Sequence, residues 1–215
     1  MTILKNKKYN FKSAFTLAEV LITLVVVGVI AALTIPTVIY KTKKTEYSVR
    51  LKKFYSTMNQ VIKLSQAKGK NWEDWASVSH SGYDVDTVDS FLNEYALPYL
   101  SYVKKEIKDR RNEQFVFVYL NDGSIFYAKK GECIDFEFDV NGNKKPNTFG
   151  KDMFVFMYCA KGSGGWSIRS KFIPYQQSEY SRNTALALCK TNAFYCSALL
   201  AIDGWEFKDD YPYSI

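Results

Sequence analysis

A single histidine, His80, serves the whole chain, and that scarcity narrows its chemistry. Any Ser-His-Asp arrangement would have to use it, in the loop-like stretch Ser-Val-Ser-His-Ser-Gly-Tyr-Asp. No nucleophile-elbow motif accompanies it, so the chain is not expected to be an enzyme. Cysteine is sparse too: four in 215 residues, Cys133, Cys159, Cys189 and Cys196, all in the C-terminal half. None has CxxC spacing, which disfavours a zinc site or redox motif. An even number suits two disulfides, with three connectivities open. The glycines between Cys159 and Ser167 lead into no helix pattern, so they are not a phosphate-binding fingerprint. Acidic residues are missing from the first fourteen positions, which carry Lys5, Lys7, Lys8 and Lys12. From Lys12 to Lys41 charge itself is missing, with one exception, Glu19.

That uncharged run is the chain's strongest positive feature. Val20 to Ile35 is almost wholly Val, Ile, Leu, Ala and Gly, and a helix of roughly 20 such residues crosses about 30 Å of hydrocarbon. A secretory signal peptide has a shorter apolar core and a small-x-small cleavage site. Here the run continues into Thr34, Ile35 and Pro36, so removal after it is not expected. The leader lysines favour a cytoplasmic N-terminus, whereas Lys41, Lys43, Lys44, Arg50, Lys52 and Lys53 on the far flank pull the other way. Disulfides would place the C-terminal half outside the cytoplasm and break the tie. The formal net charge of +7 invites a nucleic-acid reading, but removing the four leader lysines leaves +3.

The segment Lys-Tyr-Asn-Phe-Lys-Ser-Ala-Phe-Thr-Leu-Ala-Glu-Val-Leu, with the apolar run and Pro36 behind it, resembles the N-terminal signature of type IV pilin-like proteins, including pilins, minor pilins and type II secretion pseudopilins. The resemblance rests on a basic leader, a small residue before Phe15, Phe-Thr-Leu, and Glu19 four residues after Phe15. It covers about the first forty residues. It implies that a prepilin peptidase cuts between Ala14 and Phe15 and methylates the new Phe15 amine. The family usually has Gly where this chain has Ala14. It further implies partners of the same family in a filament, anchored through the inner membrane, with the head outside the cytoplasm.

Glu19 gains a rationale from that cut. An ionised carboxylate in hydrocarbon costs on the order of 3 kcal/mol at mid-span and less near an end. A cationic Phe15 amine one helical turn away offers a partner within the chain, and the family's filaments prefer the pairing between neighbouring subunits. Sequence leaves both open, beside a third possibility, snorkelling of Glu19 to the interface. Pro36 should kink the helix rather than end it. Gly28 is the other weak point, and in filaments of this family the segment between such breakers can lose helical structure.

Beyond Lys44, the positions Tyr47, Leu51, Phe54, Tyr55, Met58, Val61 and Ile62 trace one face of an amphipathic helix. A heptad coiled coil is disfavoured by the irregular spacing. A leader (1–14), a transmembrane or filament-core half (15–40) and an amphipathic half (41–68) therefore precede a globular head (69–215). In the head, Trp72 and Trp75 are expected at an edge, and a short helix around Val88 to Tyr95 should end at Pro98. Strands are expected at 115–120, 125–129, 133–140 and 153–159, the first two joined through Asn121-Asp122-Gly123. The predicted fold class is α+β and pilin-like, a long helix packed on a four-stranded antiparallel meander. If the last two strands pair, Cys133 and Cys159 fall near their ends. Cys189 and Cys196 would staple a C-terminal loop behind a short helix at 181–190. A last strand and a solvent-facing tail are expected after that.

Two head features carry ligand chemistry. In Asp-Val-Asn-Gly-Asn-Lys-Lys-Pro-Asn-Thr-Phe-Gly-Lys-Asp, Asp139, Asn141 and Asn143 alternate as in an EF-hand, but Lys144 and Gly150 occupy the positions that need Gly and Glu. Turn chemistry is the preferred reading, so no cofactor is expected. Because some pseudopilins hold calcium in a head loop, the resemblance keeps Asp139, Asn141 and Asp152 as the alternative. Lys104, Lys105, Lys108, Arg110 and Arg111, near Tyr99 and Tyr102, with Lys144, Lys145 and Lys151, form the basic set a DNA-binding competence pilin would use. Taken together, the expectation is a structural filament subunit, a minor pilin or pseudopilin. The rivals are the DNA-binding pilin and a membrane-anchored extracytoplasmic protein of unrelated function.

Overall fold

The computed structural model describes residues 15–72, 85–131, 133–159, 171–177 and 181–215. The chain divides into two compact units, one ending at Thr42 and one running from Lys43 to Ile215. Ala14, Trp75 and His80 lie outside the described residues.

One helix, α1 (Leu17–Ala67, 51 residues), runs without interruption through Gly28 and Pro36. Pro36 has no N–H to donate, so the carbonyl of Ala32 lacks its helical donor. The helix ends in a Schellman motif. Lys70 N–H donates to Ser65 O and Gly69 N–H to Gln66 O, both satisfying carbonyls that would be orphaned. Gly69 sits at φ +73, where a side chain would be strained.

In the second unit α1 buries Tyr47, Leu51, Phe54, Met58, Val61, Ile62 and Ser65. These lie at the spacing expected of one helical face. Against them stands a six-stranded antiparallel sheet in sequence order: β1 (Tyr102–Arg110), β2 (Glu113–Leu120), β3 (Ile125–Lys130), β4 (Ile134–Asp139), β5 (Met153–Tyr158) and β6 (Phe172–Pro174). The fold class is thus α+β, with six strands rather than four. Phe54 is the hub of the core, stacked on Phe138 with ring centroids 4.1 Å apart and touching Phe126, Phe156 and Phe172. Trp72 is fully buried rather than at an edge, because its indole N–H finds Tyr95 O at 3.1 Å and its ring meets Phe91 and Tyr158.

Shorter elements complete the cover of this face. Helix α2 (Val85–Phe91) continues into a π turn and a 3-10 turn that ends past Pro98, and packs on β2 and β3. Helices α3 (Arg182–Thr191) and α4 (Cys196–Ile202) follow β6, with α4 on β5 and β6. The expected last strand and solvent-facing tail are absent from this part of the molecule. Instead Trp205 and Phe207 are buried against the core and Tyr211 packs beside them, since their apolar area favours burial over exposure. The disulfides are Cys133–Cys159, joining the ends of β4 and β5, and Cys189–Cys196, joining α3 to α4.

The sheet's other face carries Phe115, Phe117, Ile125, Tyr127 and Met153. Long cations roof it: Lys104 lies over Tyr119, Lys108 over Phe117, Arg110 over Tyr127 and Arg111 over Phe115 and Phe149. The charged heads themselves lie over the ring faces, as cation–π contacts.

Candidate functional site

The start of α1 is closed by its own side chains. Thr16 Oγ1 accepts from Glu19 N–H at 3.2 Å, while a carboxylate oxygen of Glu19 accepts from both Thr16 N–H and Thr16 Oγ1–H at 2.8 Å. This is a capping box: Thr16 is the N-cap, Glu19 the third helical residue, and two orphan donors are satisfied reciprocally. The helix dipole adds to it, because a negative charge in the first turn faces the helix's positive end. Glu19 is thereby held one turn from Phe15, whose side chain is 87% exposed.

Behind the cap, α1 contains an 18-residue window of mean hydropathy 2.6, none of it buried, long and apolar enough to cross a membrane by length and composition. Leu17, Leu21, Val25, Val29 and Leu33 all stand more than half exposed. An apolar surface of this extent needs a nonaqueous neighbour, lipid or protein.

The basic set is not a free cationic groove. Lys104 and Lys108 both bind Glu106, Lys105 binds Asp89 at 2.5 Å, and Arg110 and Arg111 both clasp Glu137, which is 2% exposed. The cations beside Glu106, Lys108 first, together with the Tyr119 hydroxyl, hold its carboxyl down at about 2. These residues form β1 and its turn into β2, with each charge spent on a neighbour. Tyr99 packs at the core's margin, Tyr102 opens β1, and Lys144, Lys145 and Lys151 lie in a separate loop.

In that loop, Asp139 ends β4 and Asp152 precedes β5, both fully buried. Asp139 accepts from Tyr127 OH at 3.1 Å and Asn141 N–H at 3.3 Å. Asp152 accepts from Asn147 N–H at 2.9 Å, Thr148 N–H at 2.7 Å and Asn141 Nδ2 at 3.3 Å. Asn141 Nδ2 also reaches Tyr47 OH of α1, at 2.8 Å. The three residues singled out by sequence are therefore together, joined by Asn147, which sequence had assigned only to a turn.

Asp135 in β4 carried no sequence signal. Burial pushes its carboxyl up to about 7, with Lys129 opposing and Glu137 and Glu113 reinforcing the shift. A folded value above the unfolded 3.8 means that the stabilisation from the neutral acid is complete below about pH 4 and is lost as pH rises through 7. Thermal unfolding of the full chain in detergent should show that decline between pH 4 and 7. Asp135→Asn should make it shallower, gaining roughly 2 kcal/mol at pH 8 after allowance for partial exposure, with the remaining slope due to Asp139, whose carboxyl burial also pushes up to about 7. An unchanged slope in that variant would remove Asp135 as its source.

Residues 37–215 match a protein family described as a family of unknown function (DUF6613). No curated protein and no solved structure matches the chain.

Proposed function

The chain belongs to that family of unknown function, and since the family supplies no activity to carry over, we propose from the chain's own residues that it is a structural filament subunit. In this reading it is a minor pilin or pseudopilin of a type IV pilus or type II secretion filament. Prepilin peptidase cuts it between Ala14 and Phe15, and it assembles through α1. The observation that carries the reading is the combination at the start of α1: an exposed apolar half whose one carboxylate, Glu19, is fixed by Thr16 beside Phe15. In a plain anchor the acid serves only as a cap, a task that leaves its charge unused. A subunit that must pair with a newly made amine uses the charge as well.

The second unit supports the reading without specifying it. Its two disulfides suit an oxidising compartment outside the cytoplasm, which matches a leader left on the cytoplasmic side. The α+β layout, with the helix's amphipathic half on an antiparallel sheet, is compatible with a pilin-like subunit. Nucleic-acid binding receives no comparable support, since the cations of β1 are all engaged by carboxylates.

Mass spectrometry of the mature N-terminus tests the proposal. Methylated Phe15 as the first residue is expected. An intact Met1, or a cut anywhere past Phe15, would overturn the filament reading.

A further inference from the structure

The turn between β2 and β3 is tied to α1 by long side chains. Arg50 Nη1 donates to the carbonyls of Asp122 and Val140 at 2.9 and 3.1 Å, and Lys53 Nζ donates to Asp122 Oδ2 at 2.8 Å. Side chains of this length hold the turn off the helix, and a cavity of about 210 Å³ stands between them. Its floor is the apolar margin of the core, Phe54, Phe138 and Leu120, and its walls carry Lys53, Ser101 and Thr57.

The polar groups of this lining are out of balance. Asp122 has little left to offer as an acceptor, because Oδ2 takes Lys53 while Oδ1 takes both the Ser124 hydroxyl at 2.5 Å and the Ser124 N–H at 3.2 Å. Donors are in surplus. Lys53 uses one of its three N–H groups on Asp122, and its side chain is 62% exposed. Ser101 Oγ accepts from Asn121 Nδ2 at 2.6 Å, so its own hydrogen is left to give. Arg50 uses three of its five N–H groups, on the two carbonyls and on Glu46 at 3.0 Å. Charge is in surplus as well. The lining sets Arg50 and Lys53 against Asp122 alone, with Glu46 outside it, half exposed and screened by water.

We propose that this cavity binds a small organic monocarboxylate, its oxygens on Lys53, Ser101 and Arg50 and its apolar group on Phe54 and Leu120. The chemistry follows from what the lining lacks. Water satisfies surplus donors, but it neither balances the positive charge nor covers the apolar floor. A carboxylate joined to a short chain or a ring does both. Inorganic phosphate would answer the charge and leave the floor bare. The volume falls below the roughly 300–1,000 Å³ of sites that take drug-sized ligands, so the ligand is small, on the order of ten heavy atoms.

The β1 side of the cavity is built by an irregularity in the sheet. Tyr102 lies opposite Leu120 and Lys104 opposite Tyr119, so Val103 is the extra residue of a bulge, and it stands 66% exposed. Bulges bend a strand and re-aim its side chains. Here the bend leaves Ser101 outside the ladder, beside Asn121 at the cavity wall. The whole site lies in the second unit and does not depend on the filament reading.

The test uses the full chain in a nonionic detergent, titrated with sodium benzoate and with sodium butyrate by calorimetry and ligand-observed NMR. Benzamide serves as the uncharged counterpart of benzoate. One saturable site is expected, with a dissociation constant on the order of 0.1–1 mM for benzoate, the range open to a ligand of so few atoms. Benzamide should bind about tenfold more weakly or less. Lys53→Gln changes an exposed side chain, should fold, and should weaken benzoate binding about tenfold. Thr57→Phe keeps every charge but fills the cavity, and should abolish binding without lowering the Tm. The proposal would be overturned if neither carboxylate bound saturably to the parent, if benzamide bound as tightly as benzoate, or if benzoate affinity were unchanged in either variant.

Discussion

Replacing Arg110 by alanine is expected to cost the head about 3 kcal/mol, far more than an ordinary surface charge. Glu137 lies in β4 on the roofed face of the sheet, 2% exposed, with Arg110 and Arg111 on its two oxygens. Arg111 is 42% exposed and Arg110 19% exposed, so Arg110 supplies the more shielded half of the compensation. Removing it leaves a buried carboxylate served by one solvent-screened partner and uncovers the ring of Tyr127, 4.3 Å from the guanidinium. Denaturant unfolding of Arg110→Ala, Glu137→Gln and the double variant should show strong coupling, with the double variant more stable than Arg110→Ala alone. A loss below about 1 kcal/mol in Arg110→Ala would mean the clasp is an ordinary surface pair.

Why that strand was read as a basic patch is a matter of its position. Tyr102–Arg110 is an edge strand, and edges are kept from pairing with other chains by charge, lysine above all. Its outer-face residues, Lys104, Glu106 and Lys108, pair with β2 across Tyr119, Phe117 and Phe115, so the alternation is charged where a strand pattern calls for apolar residues. The turn into β2 is Arg111-Asn112, both at positive φ, the two-residue hairpin geometry that usually announces itself with glycine. Strand β6 is only three residues long and offers no period to detect.

The amphipathic half of α1 was legible because its buried positions depend on helical spacing alone, β2 and β3 because they flank Asn121-Asp122-Gly123, β4 because its residues alternate across the sheet, and β5 because it is a short unbroken apolar run. The tail was not. Trp205 and Phe207 stand among acids, a local pattern that reads as surface, and only the groove beside Tyr55 and Phe154 turns them inward. The loop at 139–152 shows the same limit. Its residues spell turns, and it takes the folded arrangement to show that Asp139 and the carbonyls of Gly142 and Lys144 gather around the Asn147 side-chain amide.

Thr16-x-x-Glu19 was also written in the sequence as a capping box, though the charge in an apolar run drew attention away from it. The box gives Glu19 two separable tasks, closing the helix and carrying a charge, and two substitutions divide them. Glu19→Ala removes both. Glu19→Gln keeps the box, since glutamine serves at that position, and removes only the charge. If the charge pairs with a Phe15 amine of a neighbouring subunit, both variants should be processed normally yet fail to assemble. The loss is roughly 3 kcal/mol per contact, about a hundredfold in association. If the carboxylate serves only as a cap, Glu19→Gln should assemble like the parent and Glu19→Ala should show the cost of a lost cap, about 1 kcal/mol. Quantifying chain in sheared filaments against chain in membranes reads the difference directly, and normal incorporation of Glu19→Gln would sink the intersubunit pairing. Because helix closure is preserved in one variant and lost in the other, a fraying N-terminus cannot be mistaken for a missing charge.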